Sequence, residues 1–279
     1  MKHHEPHNSV KDIIKDTSVE AKTLNAIAKI WKPAVTLLVA GAVLTGAFMA
    51  YLSFQKYNEK QNQEALFVIQ KKLNDKKEEI EKSLSAANAK ESAKADEKVD
   101  AKAKIKKAPT KVAVQKEKIL TPSELKSQYS EIIAEYTSFI QSHTGSKASY
   151  IASIELAGIA SEYKDFELAR NTLMIAINSA NKNELFYGLM HMQLGSVLMD
   201  LNLPKEAEAQ LILVTENKDQ VVFHPQALLR LAGIYIELKE YNQSQKILNR
   251  LEKEFPRTSA YEESKGYKKI ISLHQGANS

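Results

Sequence analysis

The chain has 279 residues, no cysteine and a formal net charge of +5 at pH 7. The absence of cysteine excludes disulfides, thiolate zinc sites and thiol nucleophiles. The charge is uneven: residues 82–118 contain eleven lysines and five acidic residues, whereas residues 119–279 contain 16 basic and 19 acidic residues, which argues against nucleic acid as the ligand of that longer part.

Residues 1–33 form a short leading arm. Its first residues include three histidines, which could bind a metal, but no partner motif follows them and we interpret them as an unstructured terminus. From Ser9 to Trp31 the apolar residues recur at helical spacing. This pattern predicts an amphipathic helix, which would either lie on a membrane surface or dock on a partner.

Residues 34–54 form an uncharged apolar run with aromatic residues near both ends. Such a run is about 30 Å long as a helix, so it predicts one membrane span. It is too long, and too far from the N-terminus, for a cleaved signal peptide. Small residues at Ala42, Gly46 and Ala50 could admit a second helix or simply face lipid. Four lysines within twenty residues on either side leave the orientation undecided.

Two segments separate the predicted span from the rest of the chain. Residues 55–81 are predicted to form a helical stalk, with a coiled coil as a weaker alternative. From Leu66 onward an apolar residue recurs every seven positions, and the series continues just past the stalk: Leu66, Leu73, Ile80 and Ala87. Residues 82–118 are rich in Lys and Ala and predict a solvated spacer that holds the next domain away from the membrane. The alternative for this spacer is contact with anionic lipid or an acidic partner.

Residues 119–279 contain a repeat. The same pair of positions is occupied by Leu156-Ala157, Leu194-Gly195 and Leu231-Ala232, at intervals of 38 and 37 residues. A small residue at these points lets two helices cross closely. We therefore predict helix pairs near residues 150–187, 188–224 and 225–258, a leading helix over Ser123–Ser142 and a capping helix over 259–275.

These repeats resemble the tetratricopeptide repeat, and the third copy matches best. The matching residues of that copy are Leu228, Leu231, Ala232, Tyr235, Tyr241, Leu248 and Pro256. The copies are three or four residues longer than that repeat, and Ser153 and His191 replace bulky apolar residues. The resemblance implies an α-solenoid of helix pairs. With the segments predicted before it, the expected fold is all-α: an N-terminal transmembrane helix, a helical stalk and spacer, then a tetratricopeptide-like α-solenoid.

The layout over residues 25–275 resembles the YfgM family, through its architecture and loose repeats. The Lys/Ala-rich spacer is not part of the plain family pattern. The resemblance implies a single-pass protein of the bacterial inner membrane with its repeats in the periplasm. It further implies association with the Sec translocon and with periplasmic chaperones, such as a membrane-anchored prolyl isomerase.

No motif for catalysis, for a cofactor or for a metal is recognisable, so we predict a protein that is not an enzyme and has no small-molecule substrate. His191 is predicted to be a satisfied core histidine, and His224 to be structural or solvated. The candidate site is a groove along the first helices of the pairs that would bind a peptide or partner protein. The competing interpretation is that the residues of this groove are buried against neighbouring elements. The groove residues are Ile151, Ile154, Leu189, Met192, Ser196, Met199, Leu229 and Ile236.

Three functional hypotheses follow. The first is a membrane-anchored adaptor that meets translocon subunits, chaperones or unfolded segments through this groove. The second is a structural scaffold with one fixed partner in a secretion, pilus or division complex. The third is the reverse topology, in which the repeats face the cytosol as a receptor.

Overall fold

The computed structural model describes residues 44–87 and 120–276. The leading arm, the first ten residues of the predicted span and most of the Lys/Ala-rich segment lie outside these ranges. Within them the regular structure is entirely helical, which confirms the all-α prediction for this part of the chain.

The helices follow one another with short connections. Helix α1 comprises residues 44–87. The others are α2 (Pro122–Gln128), α3 (Ser130–Ser142), α4 (Lys147–Glu162), α5 (Phe166–Ser179), α6 (Leu185–Asp200), α7 (Pro204–Thr215), a 3₁₀ helix (Lys218–Phe223), α8 (His224–Glu237), α9 (Tyr241–Glu254) and α10 (Ser259–Gly276).

The chain divides into two compact units, residues 1–58 and residues 59–279. In the first unit the described residues are helical and expose large apolar side chains, among them Leu44, Phe48, Met49 and Phe54. No helix in the described ranges combines the length and the apolar character that a membrane crossing requires. The predicted span of residues 34–54 begins outside those ranges and stays a prediction.

The second unit contains three helix pairs: α4 with α5, α6 with α7, and α8 with α9. The turn inside each pair has a residue in the left-handed region at the same repeat position: Lys164, Asn202 and Lys239, with φ of 64°, 59° and 61°. After it, the backbone N–H groups of Asp165, Leu203 and Glu240 donate to carbonyls five residues earlier, at 2.9, 2.8 and 2.7 Å. This is the helix-ending turn that usually prefers Gly.

The two helices of each pair approach each other most closely at the small residues. A Cβ atom added to Gly195 would lie 3.2 Å from Leu211 Cδ2, so the two helices of the middle pair meet where Gly195 has no side chain. Ala157 and Ala232, at the same repeat position, are fully buried. In the third pair the Ser244 hydroxyl donates to the Ala232 carbonyl at 2.9 Å.

The leading helix predicted over Ser123–Ser142 is divided in two. Tyr129, with φ of −94° and ψ of 2°, ends α2 and precedes α3. Thr121 caps α2: its hydroxyl accepts from the Glu124 N–H, and the Glu124 carboxylate accepts from the Thr121 N–H. Two orphan N–H groups are thereby satisfied. Helix α3 then packs on α4, as α5 packs on α6 and α7 packs on α8.

The predicted stalk is wrong as a separate element. Residues 59–87 of α1 belong to the same unit as the repeats, and a row of α1 side chains is buried in the shared core: Leu66, Ile69, Leu73 and Ile80. Gln70 Nε2 donates to Glu155 Oε1 at 2.7 Å, and Lys77 Nζ lies 3.6 Å from Glu162 Oε1. Because the residue numbers of the contacting side chains increase in the same direction along both helices, α1 runs parallel to α4.

Only the first six residues of the predicted spacer lie within the described ranges. Residues 82–87 continue α1, and the chain resumes in the same folded unit at Leu120. Residues 88–118 of the predicted spacer lie outside the described residues, so the spacer stays a prediction.

We expect Leu73→Ala to lower the free energy of unfolding of the repeat unit by about 2–4 kcal/mol, because it leaves a cavity under α1. Phe67→Ala is the matched control, since Phe67 lies on the same helix and is 63% exposed. It should change the free energy by less than about 0.5 kcal/mol. Denaturant unfolding of the full chain, followed by circular dichroism, measures both. Equal, small effects would mean that α1 is not packed.

Candidate interaction surface

Three of the predicted groove residues share one repeat position and face the next helix pair. They are Ile154, Met192 and Leu229, at intervals of 38 and 37 residues. Ile154 is half-buried, whereas Met192 is 5% and Leu229 is 3% exposed. The prediction that Met192 and Leu229 line an open groove is wrong. The reason is that the first helices of successive pairs stack side by side and cover this position.

A repeated hydrogen bond fixes that stacking. Gln193 Nε2 donates to the Ile154 carbonyl at 3.1 Å, and Arg230, at the same position of the next pair, donates from Nη1 to the Met192 carbonyl at 3.0 Å. Arg230 Nη1 also donates to Ser196 Oγ at 2.6 Å. Burial lowers the pKa of the Arg230 guanidinium. The second and third pairs are thus each joined to the preceding pair by a side chain that donates to a helix carbonyl.

Glu155 occupies this position in the first pair and faces α1. Its carboxylate accepts from Gln70 Nε2 and, at 2.8 Å, from the Tyr136 hydroxyl of α3. Burial, and then this hydrogen bond, raise the pKa of Tyr136. Helix α1 therefore lies where the first helix of a preceding pair would lie.

Helix α10 covers the other end of the stack. Tyr267 lies 37 residues after Arg230, and a Cβ atom added to Gly233 would lie 3.2 Å from the Tyr267 hydroxyl oxygen. Leu229 and Ile236 both pack in clusters that include Tyr267. The capping helix thus covers the third-pair residues of the predicted groove.

The accessible part of the predicted site is on α6. Leu189 is 37% exposed, Ser196 is exposed and Met199 is half-buried. We call Leu189, Ser196 and Met199 the α6 face. Ile151 on α4 is half-buried and packs against the main core. The other residues follow the competing interpretation of the sequence, burial against neighbouring elements, which local periodicity could not distinguish from an open groove.

The opposite side of α6 borders a cavity of about 420 Å³. Its lining comes from α5, α6 and α7: Arg170, Met174, Ile177, Asn178, His191, Leu194, Leu198, Glu206 and Gln210. His191 is buried, as predicted, and its Nδ1 lies 2.7 Å from Gln210 Oε1. Its Nε2 has no hydrogen-bond partner, so the prediction of a satisfied histidine is wrong at that atom.

His224 is the second histidine considered in the sequence analysis. His224 is buried, and its Nε2 lies 2.9 Å from the Asn217 carbonyl, so it has a structural role in the turn before α8. Among the described residues no group of three acidic, His or Cys side chains is arranged to hold a metal ion.

No protein-family model matches the chain, and no curated protein is significantly similar to it.

We expect Arg230→Met to lower the free energy of unfolding by about 1–3 kcal/mol, because it removes the hydrogen bonds from Arg230 to the Met192 carbonyl and to Ser196 Oγ. The control is Arg257→Met at an exposed position, which should shift it by less than about 0.5 kcal/mol. Thermal unfolding of the two variants compares them. Identical midpoints would show that the hydrogen bond between the pairs does not stabilise the stack.

Proposed function

We propose that the chain is a membrane-anchored adaptor that binds polypeptide segments and does not catalyse a reaction. Its setting, in this proposal, is the bacterial inner membrane, with the repeat unit in the periplasm beside the Sec translocon and its chaperones. The uncharged run of residues 34–54 and the YfgM-like layout support the anchor and the setting. Stacked helix pairs support the binding role, because such arrays present extended surfaces to partners.

One observation supports a binding role most directly. The stack is covered by α1 at one end and by α10 at the other, and the α6 face between them leaves apolar side chains accessible. Met199 has an unbranched, polarisable side chain that adapts to different partners. A hydroxyl at Ser196, held by Arg230, adds a fixed polar contact. A surface of this kind suits short segments of varied sequence.

A photocrosslinking amino acid at Ser196 tests this binding role. We expect it to capture several different polypeptides in intact cells, because the proposed clients vary in sequence. The control position is Ala209, which is exposed on α7 and lies outside the α6 face. Crosslinks at Ala209 should be few. A single stoichiometric product at Ser196 would contradict the adaptor and favour a structural scaffold with one fixed partner.

Membrane topology tests the proposed setting, and the absence of native cysteine makes the labelling specific. Ala209→Cys in one variant and Ser18→Cys in another provide the two labelling positions. A membrane-impermeant maleimide should reach Ala209→Cys but not Ser18→Cys in spheroplasts. The reverse pattern would place the repeats in the cytosol and overturn the periplasmic assignment.

A further inference from the structure

Three large apolar side chains are exposed at one edge of the stack. They are Leu185, Val221 and Val222, which are 57%, 49% and 68% exposed, and we call them the apolar tip. Leu185 is the first residue of α6, and the two valines lie in the 3₁₀ helix before α8. The edge comprises the connections before α4, α6, α8 and α10, and we call it the entry edge: residues 143–147, 180–185, 216–223 and 255–258. Apolar side chains grouped on a surface are typical of an interaction site.

A buried glutamine fixes the shape of the apolar tip. Gln220 is fully buried, and its Nε2 donates to the carbonyl of Glu184 at 2.9 Å. On the other side of the two valines, Phe223 packs on Gly188 of α6, where an added Cβ atom would lie 2.7 Å from Phe223 Cδ2. The 3₁₀ helix is thus attached to the first turn of α6 both before and after its valines. Their exposure is therefore built into the fold.

Helix α1 joins the stack at the same edge. Glu59 accepts from the backbone N–H groups of Lys147 and Ala148, at the start of α4. Helix α6 begins beside that point, because Tyr150 and Phe186, near the starts of α4 and α6, have ring centroids 5.9 Å apart. The apolar tip and Glu59 therefore lie at the same edge of the stack.

The predicted membrane span is close to this edge along the chain. It ends at Phe54, five residues before Glu59. Five residues reach at most about 18 Å, even when the chain is fully extended. Given the anchor of the proposed function, on which this inference rests, the bilayer lies within that distance of Glu59.

Basic residues surround the apolar tip. Each of the four connections of the entry edge has one exposed basic residue: Lys147, Lys182, Lys218 and Arg257. The same connections contain three acidic residues, and one of them, Glu216, is paired with Arg250 at 3.0 Å. Basic side chains beside apolar ones place their stems along the apolar surface and their charges among lipid headgroups. Anionic lipids attract such charges.

We propose that the apolar tip inserts into the interfacial layer of the bilayer that anchors the chain, with Lys182 and Lys218 at the lipid phosphates. Apolar side chains flanked by basic ones suit this layer, in which apolar groups leave water and charges stay hydrated. The contact holds the repeat unit at the membrane surface. Because Leu189 lies one turn after Leu185, the α6 face then begins just above the headgroups.

A fluorescent probe on the full chain tests the contact in liposomes of phosphatidylcholine and phosphatidylglycerol. The chain has no native cysteine, so an environment-sensitive probe attaches only at Val222→Cys. We expect lipids with a nitroxide on the acyl chain to quench this probe strongly. The control is Asn242→Cys, which is exposed at the opposite edge, beside a turn inside a pair, and should be quenched little. Equal quenching at both positions, or none at Val222→Cys, would overturn the proposal.

A pair of aspartate variants tests whether the apolar side chains cause the contact. With the probe at Asn183→Cys on the entry edge, Val222→Asp should reduce quenching to the level of the Asn242→Cys control, because a carboxylate resists leaving water. The matched control is Leu273→Asp, since Leu273 is 65% exposed and lies near the end of α10. It should leave quenching unchanged. Loss of quenching in both variants, or in neither, would contradict the assigned surface.

Flotation of the same liposomes separates this inference from the proposed anchor. A chain that floats with the lipid but shows no quenching at Val222→Cys overturns the inference alone. A chain that does not float overturns the anchor, and this inference with it. In detergent, a blue shift of the Val222→Cys probe that grows with protein concentration would mean that a second copy covers the tip, and would overturn the lipid contact.

Discussion

The repeat unit depends on the packing of α1 against α3 and α4. Each of the four buried apolar side chains in α1 removes surface from water, at about 1.5–3 kcal/mol per side chain. Glu59 fixes the register of this contact, because its carboxylate accepts from the backbone N–H groups of Lys147 and Ala148 at 3.1 and 2.9 Å. A carboxylate there also meets the positive end of the α4 dipole.

The same kind of joint recurs along the stack. A side chain at one repeat position reaches the neighbouring first helix three times, through Glu155, Gln193 and Arg230. The kind of partner is not the same throughout. Glu155 accepts from a side chain of α1, whereas Gln193 and Arg230 donate to backbone carbonyls of the preceding first helix. Because each of these contacts joins neighbouring helices only, the stability of the stack is built up from one pair to the next. They also determine which face stays accessible, since they cover the residues beside them.

Much of this fold is predictable from the sequence, and the exceptions have one cause. The interval of 38 and 37 residues predicts the three pairs, and small residues such as Gly195 predict where helices cross. The seven-residue spacing of Leu66 and Leu73 is typical of any helix with one buried side, so it could not distinguish a coiled coil from packing on the repeats. Likewise, nothing local to Met192 indicates the neighbouring helix that covers it. Contacts between distant segments are not encoded in local periodicity.

Hydrogen exchange across residues 59–87 of the full chain tests most directly whether α1 is the first helix of the stack. We expect the amides beside Leu66, Ile69 and Leu73 to be protected as strongly as those of α4. We also expect Leu156→Ala, a change in the core of α4, to weaken protection in both helices together. Rapid exchange in α1 while α4 to α9 stay protected would contradict this placement of α1 and restore an independent stalk.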